Sequence, residues 1–339
     1  MKCIVKNVQK YNSGIKLNFG RDLTDAKVSL RPAYTTGVST KEYGRVWFWV
    51  GNKKTIFKTY DTFGYSDTRK IRMANELLCY ELAKKMDVKC AVYETALNDK
   101  HKGIISYDVQ KEYENLVSVE NLYYRLCKGT FEGNLKDIAK AVNELEKRGK
   151  RVNKKQIFID LYKIMIFDAL TMQNDRHLGN LFFIENSRHN SFRVSPLIDN
   201  EFAFNGIGII DYIKENVDAV SQKEFLEKFE NNKDIITMFE TNRITDNHSY
   251  LKNIKDICEL ALTNEELKGI LIKTIKKMNI KKAIEKVEES GIKLGKDYKE
   301  YLVNVESLTK DLFVTELNKQ KVLSKESKQK YSDLINYSV

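Results

Sequence analysis

The sequence predicts an α+β chain of two lobes, a β-rich one over residues 1–109 and a mainly helical one over residues 110–339. Three observations carry this. Aromatic and β-branched runs set between turn residues fill the first part, and helical periodicity takes over beyond residue 116. With only Pro32 and Pro196, no proline-rich spacer divides the chain, so the lobes are expected to form one unit. A hydrophobic content of 42% suits a core that needs no staples.

Residues 45–50 and 55–60 flank Gly51-Asn52-Lys53-Lys54 and read as a β-hairpin. Ahead of it, residues 34–44 form a small, hydroxyl-rich loop that contains Gly37, Val38 and Ser39. Strand alternation puts Lys58 on a face with Ile56 and Tyr60, opposite Phe57 and Thr59. Taken alone, Lys58 is an ordinary solvent-facing strand lysine. From residue 68 to 86, Ile71, Ala74, Leu78 and Leu82 recur at helical spacing. Glu76 shares another face with Cys79 and Ala83, small residues that let a second element come close. Glu81 is the competing acid, and periodicity does not choose between the two.

Residues 89–96 and 102–109 read as two more strands, followed by a polar connector at 110–115. By position alone, that is the place for a hinge whose backbone groups, at Ser106, Tyr107, Asp108 and Val109, read an adenine edge. Residues 135–147 are amphipathic, whereas 156–173 are apolar nearly all round, as befits a central buried helix. Its most apolar part, 157–170, is interrupted by Asp160, Lys163 and Asp168 and is too short to cross a bilayer. Further helices are expected at 222–230, 234–240, 250–262, 264–278, 280–290 and 296–319, ahead of a Lys/Ser-rich tail.

The cysteines Cys3, Cys79, Cys90, Cys127 and Cys258 stand singly, with no CxxC pair and no histidine at ligand spacing. Neither a disulfide framework nor a zinc site is expected. The N-terminus alternates apolar and charged residues and never builds the block of a signal peptide. A cytoplasmic location follows as the expectation. The net charge of +11 invites polyanions, but most lysines alternate with acids on helix faces. Nucleic-acid binding, through the dense run at 273–282, is therefore the less favoured reading.

The chemistry centres on Asn174-Asp175-Arg176-His177-Leu178-Gly179-Asn180 and on Ile198-Asp199-Asn200-Glu201. Asp175 and Asn180 bracket a Leu178-Gly179 turn that can aim both side chains into one cleft. Residues 181–184 and 192–194 then form a hairpin, and Asp199 leaves its returning strand beside Asn180. Phosphoryl transfer works by positioning and charge compensation. It needs an acid near the attacking hydroxyl, a cation on the phosphates and hard oxygen ligands for magnesium. Each residue has a plainer role as a turn cap, or for His177 as a hydrogen-bonded core histidine. The order of loop, strand lysine, helix glutamate, connector, buried helix and Asp…Asn…Asp is what turn chemistry does not produce.

These two motifs, with Ala74-Asn75-Glu76-Leu77-Leu78-Cys79-Tyr80-Glu81-Leu82-Ala83 and Gly103-Ile104-Ile105-Ser106-Tyr107-Asp108, resemble the HipA-type bacterial serine/threonine kinases, and most of all their short CtkA-like members. The likeness spans residues 30–210. It implies a two-lobed protein-kinase-like fold, ATP with magnesium, and transfer to serine or threonine of a protein substrate, the chain itself included. It also implies a toxin with an antitoxin partner, or an effector delivered to a host cell.

The same resemblance carries phosphate contact onto Lys58, its ion pair onto Glu76 rather than Glu81, catalysis onto Asp175, and metal binding onto Asn180 and Asp199. Gly37, Val38, Ser39, Ser106, Tyr107, Asp108 and His177 complete the nucleotide-contacting candidates. Two departures stand out. Asn200-Glu201 replaces the Phe-Gly of ordinary protein kinases after the metal aspartate. The loop at 36–41 lacks repeated glycines, and Thr35 and Thr36 are the hydroxyls nearest the family's phosphorylated serine. The Asp-Arg-His order also echoes phosphatidylinositol kinases, so a lipid or small-molecule kinase is one alternative. A non-catalytic nucleotide-binding regulator is the other, and the intact acids argue against it.

Overall fold

The computed structural model describes residues 16–17, 20–23, 27–28, 45–50, 53–59, 66–98, 101–173, 175–205 and 254–319. The expectations placed on Thr35, Thr36, Gly37, Val38, Ser39 and Asn174, and on helices at 222–230 and 234–240, lie outside these residues.

After β1 (Lys16–Leu17), the first lobe is a six-stranded sheet. Its strands are β2 (Arg21–Asp22), β3 (Lys27–Val28), β4 (Arg45–Val50), β5 (Lys53–Thr59), β6 (Tyr93–Asn98) and β7 (His101–Tyr107), in the order β2-β6-β7-β5-β4-β3. The expected hairpin is β4 with β5, antiparallel from Val50↔Lys53 to Arg45↔Lys58. Along β5 the two-residue period buries Thr55, Phe57 and Thr59 and leaves Lys54, Ile56 and Lys58 half-buried. Phe57 packs with Leu23, Ala96 and Ile105 in a small core of its own. Lys58 therefore emerges on the opposite face.

The chain between β5 and β6 includes α1 (Ser66–Met86), close to the span that periodicity predicts. The strand expected from residue 89 begins only at Tyr93, because residues 89–91 bond elsewhere. Ala91 N–H donates to the Leu197 carbonyl at 2.8 Å, and Leu197 N–H donates to the Lys89 carbonyl at 2.8 Å. This short parallel bridge, Cys90 against Leu197, fastens the first lobe to the chain just ahead of Asp199. Likewise β7 stops at Tyr107 rather than 109. Asp108 turns the chain there, its N–H donating to the Lys54 carbonyl at 2.9 Å and its carboxylate accepting the Gln110 N–H at 2.9 Å.

The second lobe holds β8 (Glu114–Ser118), α2 (Val119–Leu126), α3 (Leu135–Lys147), β9 (Arg151–Val152), α4 (Lys154–Leu170), β10 (Phe182–Asn186) and β11 (Ser191–Val194). After residue 253 come α5 (Ile254–Thr263), α6 (Glu265–Lys277), α7 (Ile280–Glu289), β12 (Ile292–Lys293) and α8 (Lys296–Lys319). A four-stranded sheet runs β8-β10-β11-β9, and β12 pairs with β1. The tail of the polar connector thus becomes β8, drawn into a ladder by β10. Asparagine starts several helices: the side-chain oxygens of Asn134, Asn153, Asn264 and Asn279 accept first-turn N–H groups.

The second core centres on α4, buried on nearly every side. The polar residues that interrupt its apolar run each have a partner: Asp160 with Lys89 at 2.7 Å, Lys163 with Asp87 at 2.8 Å, and Asp168 with Arg176 at 3.2 Å. Helices α6 and α7 pack along α1, and the buried residues of α1 join the same apolar cluster as α4 and α8. Although α1 falls within residues 1–109, it is packed as part of the larger core. None of the described helices is long and apolar enough to cross a membrane.

The sheet leaves no room above Gly103, which lies between Thr59 of β5 and Ala96 of β6. A Cβ there would stand 2.1 Å from the Lys58 carbonyl oxygen. Gly103→Ala is predicted to cost about 1–3 kcal/mol, the usual penalty of overpacking, and to displace Lys58. Denaturant unfolding checks this, and an unchanged midpoint contradicts it.

Candidate active site

The site is built where the β5 face carrying Lys58 meets α1 and the chain that returns from β11. Lys58 Nζ lies 2.6 Å from Glu76 Oε1 and 2.8 Å from Asp199 Oδ1. Glu76 is buried, and the lysine side chain is 12% exposed, so both charges sit largely away from water, where pairing is strong only with good geometry. The choice between the two acids of α1 resolves to Glu76. Glu81 instead meets Lys84 of its own helix at 3.3 Å.

Glu76 spends its second oxygen on the segment that follows β11: Oε2 accepts the Asn200 N–H at 2.7 Å. Asn200 is fully buried, and its Oδ1 accepts from Arg176 Nη2 at 2.6 Å. Arg176 is itself buried and divides its guanidinium among four groups. Nε meets Asp168 at 3.2 Å, Nη1 donates to the carbonyls of Asn180 at 3.3 Å and Ile198 at 2.9 Å, and Nη2 serves Asn200. One arginine thereby fixes the backbone of both expected metal ligands relative to each other, since Ile198 and Asn200 flank Asp199.

The loop brings the Asp175 and Asn180 side chains together. Asn180 Nδ2 donates to Asp175 Oδ2 at 2.9 Å and to the Asp175 carbonyl at 3.0 Å. That use of the nitrogen makes Oδ1 the atom of Asn180 that could meet a metal. Gln173 Oε1 accepts the Asp175 N–H at 3.1 Å and so holds the other end of the loop. His177 is spent on the turn: its Nδ1 accepts the Gly179 N–H at 3.1 Å, and its carbonyl accepts the Asn180 N–H at 2.8 Å.

Asp199 has φ 58°, the left-handed region that aspartate tolerates better than most residues. Its N–H donates to Tyr93 Oη at 3.1 Å. The chain beyond it is also tied down. Asn75, next to Glu76 on α1, donates to the carbonyls of Glu201 at 3.2 Å and Ala203 at 2.7 Å and accepts a hydrogen bond from Tyr298 of α8. Tyr301 donates to the Phe204 carbonyl at 2.6 Å, and the Phe204 N–H reaches the Thr171 carbonyl at 2.5 Å. Asn200 Nδ2 lies 3.6 Å from the Cys90 sulfur, a thiol whose pKa burial pushes up and which therefore stays protonated.

The expected hinge narrows to fewer groups. Ser106 sits inside the sheet between β5 and β6. The N–H groups of Tyr107 and Asp108 are bonded to the Val92 and Lys54 carbonyls at 3.0 and 2.9 Å. Burial raises the pKa of the Asp108 carboxyl, and the Tyr107 hydroxyl turns to Glu94 at 3.1 Å. The N–H groups of Tyr107 and Asp108 are thus already spent within the lobe.

The oxygen donors fit a hard cation. Asn180 and Asp199 offer an amide and a carboxylate oxygen, the chemistry that magnesium takes. Carboxylate oxygens of Glu76, Asp199 and Glu201 also lie within 4.8 Å of one another. Lys58 already stands between the first two, and Arg72 is 4.0 Å from Glu201, so the charge of this trio is answered by side chains.

Residues 26–266 match the model of the HipA-like C-terminal domain, which is more than half of the chain. The chain belongs to the HipA-like C-terminal domain family. Among solved structures, the Helicobacter pylori proinflammatory kinase CtkA matches with a TM-score of 0.61 at 14% identity, over 90% of this chain and 100% of that one. HipA of Shewanella oneidensis MR-1, solved in a toxin–antitoxin complex with HipB and its operator DNA, matches with a TM-score of 0.40 at 12% identity, over 87% and 70% of the two chains. No curated protein matches the sequence. At such identities the likeness to CtkA is one of fold, and it establishes the two-lobed kinase-like α+β architecture expected of a HipA-type chain.

Within this HipA-type site, sequence reasoning misses four contributors: Asn75, Arg176, Asn200 and Tyr298. Asn75, Arg176 and Asn200 lie inside the motifs, where their polarity beside the candidate residues was the available signal. Tyr298 is 223 positions from Asn75 and gives none. The Arg176 hub is directly testable. Arg176→Leu strands the Asp168 carboxylate in the core and is predicted to cost about 3–5 kcal/mol, of which the further change Asp168→Asn recovers part. Chemical denaturation of both variants measures this, and a loss under about 1 kcal/mol for Arg176→Leu refutes the hub.

Proposed function

We propose that the chain is an ATP- and magnesium-dependent protein kinase that phosphorylates serine or threonine, its own chain included. The observation that carries this reading is Lys58 Nζ held between Glu76 and Asp199 at 2.6 and 2.8 Å. A lysine that is both paired with a helix glutamate and placed beside a metal-type aspartate is the arrangement that cradles nucleotide phosphates in kinases.

On this reading each residue has one task. Glu76 orients Lys58, which binds α- and β-phosphate oxygens. Asp175 accepts the proton of the substrate hydroxyl, and Asn180 Nδ2 donates to its Oδ2 at 2.9 Å. Asn180 and Asp199 would hold magnesium, which supplies compensation for the negative charge of the phosphates. Val109 offers the backbone contact for the base. The loop bearing Gly37, Val38 and Ser39 would cover the phosphates. A protein substrate and a partner of the antitoxin kind are extensions of the same reading, supported by membership of the HipA-like family.

The test is incorporation of label from γ-labelled ATP into the purified chain and into a generic protein substrate, with magnesium and with chelator. Label on serine or threonine, lost in Asp175→Asn, in Asp199→Asn and with chelator, is the expected result. Incorporation that survives both substitutions contradicts the assignment, and transfer to phosphoinositide vesicles but not to protein replaces it with a lipid kinase.

A further inference from the structure

We propose that Asn200 is the positioning residue of this site, the part that locks the Lys58–Glu76 pair to the catalytic loop and so holds Asp199 ready for a metal before any ligand arrives. The inference rests on the phosphotransferase reading for its metal, but its structural half stands on geometry alone.

Asn200 touches both halves of the site at once. Its N–H donates to Glu76 Oε2 at 2.7 Å, so the residue after Asp199 is bonded to the same carboxylate that orients Lys58. Its Oδ1 accepts from Arg176 Nη2 at 2.6 Å, which ties it to the hub that also grips the Asn180 and Ile198 carbonyls. Its carbonyl accepts the Ala203 N–H at 3.1 Å, and Asn75 holds the same stretch from the α1 side. Asp199, whose left-handed backbone is costly to hold, is therefore braced on both flanks, by Ile198 and by Asn200.

The residue type follows from these contacts. The position is fully buried, and one side chain must offer an acceptor to a guanidinium and a donor toward the Cys90 sulfur. An amide does both without adding a second buried negative charge beside Glu76. A phenylalanine at this place has neither group, so the substitution of Asn for Phe after the metal aspartate replaces an apolar contact with wiring.

The experiment compares the wild-type full chain with Asn200→Leu, an apolar side chain of similar size, Asn200→Ser, a milder truncation, and Asn200→Asp, which keeps the acceptor for Arg176. Two readouts are used. The first is hydrogen exchange of the ligand-free protein. Asn200→Leu should speed exchange across residues 198–204 with little change in β10 and α4, Asn200→Ser should do so to a smaller degree, and Asn200→Asp, which keeps the acceptor for Arg176 but adds a buried charge beside Glu76, should fall between Asn200→Leu and the wild type. The second is manganese binding in the presence of ADP, followed by the loss of the free-ion paramagnetic resonance signal.

Outer partners of metal ligands commonly change metal affinity by about 10–100-fold, so Asn200→Leu should need about tenfold more manganese for half-saturation at saturating ADP. Exchange and manganese titration both matching the wild type in Asn200→Leu and Asn200→Ser would overturn the proposal, as would faster exchange spread evenly over the whole chain. If the wild type itself takes up no manganese with ADP, the phosphotransferase reading fails, and the exchange data alone decide the positioning role.

Discussion

The Lys58 ammonium, caught between Glu76 and Asp199, is the interaction on which the rest of the structure turns. Bringing these charges together under little solvent is costly, and the arrangement holds because each carboxylate is answered by more than one group. Glu76 bonds Lys58 with one oxygen and the Asn200 N–H with the other. The pair thus joins three parts of the chain: β5, α1 and the segment that follows β11. The parallel bridge of Cys90 with Leu197 brings the same segment to the first lobe from its other side.

From this pair outward, polar groups are stacked in an order that reads as one buried network: Lys58, Glu76, Asn200, Arg176, Asp168. Such a network is favourable only when every member is satisfied, and partial satisfaction makes it a liability. Asp168 sits in the middle of the apolar α4, where an unpaired carboxylate would be untenable, and Arg176 is its answer. The core of the large lobe and the catalytic loop are therefore stabilised by the same contact. The shared packing of α1 with α6, α7 and α8 has the same effect at a larger scale, since the helix that carries Glu76 is held by the C-terminal part of the chain.

Much of this was legible in the sequence, for physical reasons that can be stated. The two-residue period of β5 fixed the face of Lys58, and helix periodicity gave α1, α3 and α8 nearly to the residue. The spacing of Asp175 and Asn180 was enough to bring their side chains together. What stayed hidden is what depends on distant partners. Periodicity could not separate Glu76 from Glu81, because the difference is which element approaches α1. The start of β6 at Tyr93 could not be read, since an apolar run looks the same whether it pairs within its sheet or with Leu197. The end of β7 at Tyr107 could not be read either, because the N–H of Asp108 is claimed by Lys54, on a strand 54 positions earlier.

The central claim is that Lys58 and Glu76 act as one unit, and a double-mutant cycle on folding stability measures this directly. Unfolding free energies of Lys58→Met, Glu76→Gln and the double variant are compared with the wild type. The account predicts that the double variant loses about 2 kcal/mol less than the sum of the two single losses, because each single change strands the other group. Losses that add within about 0.5 kcal/mol would show two independent residues and contradict it.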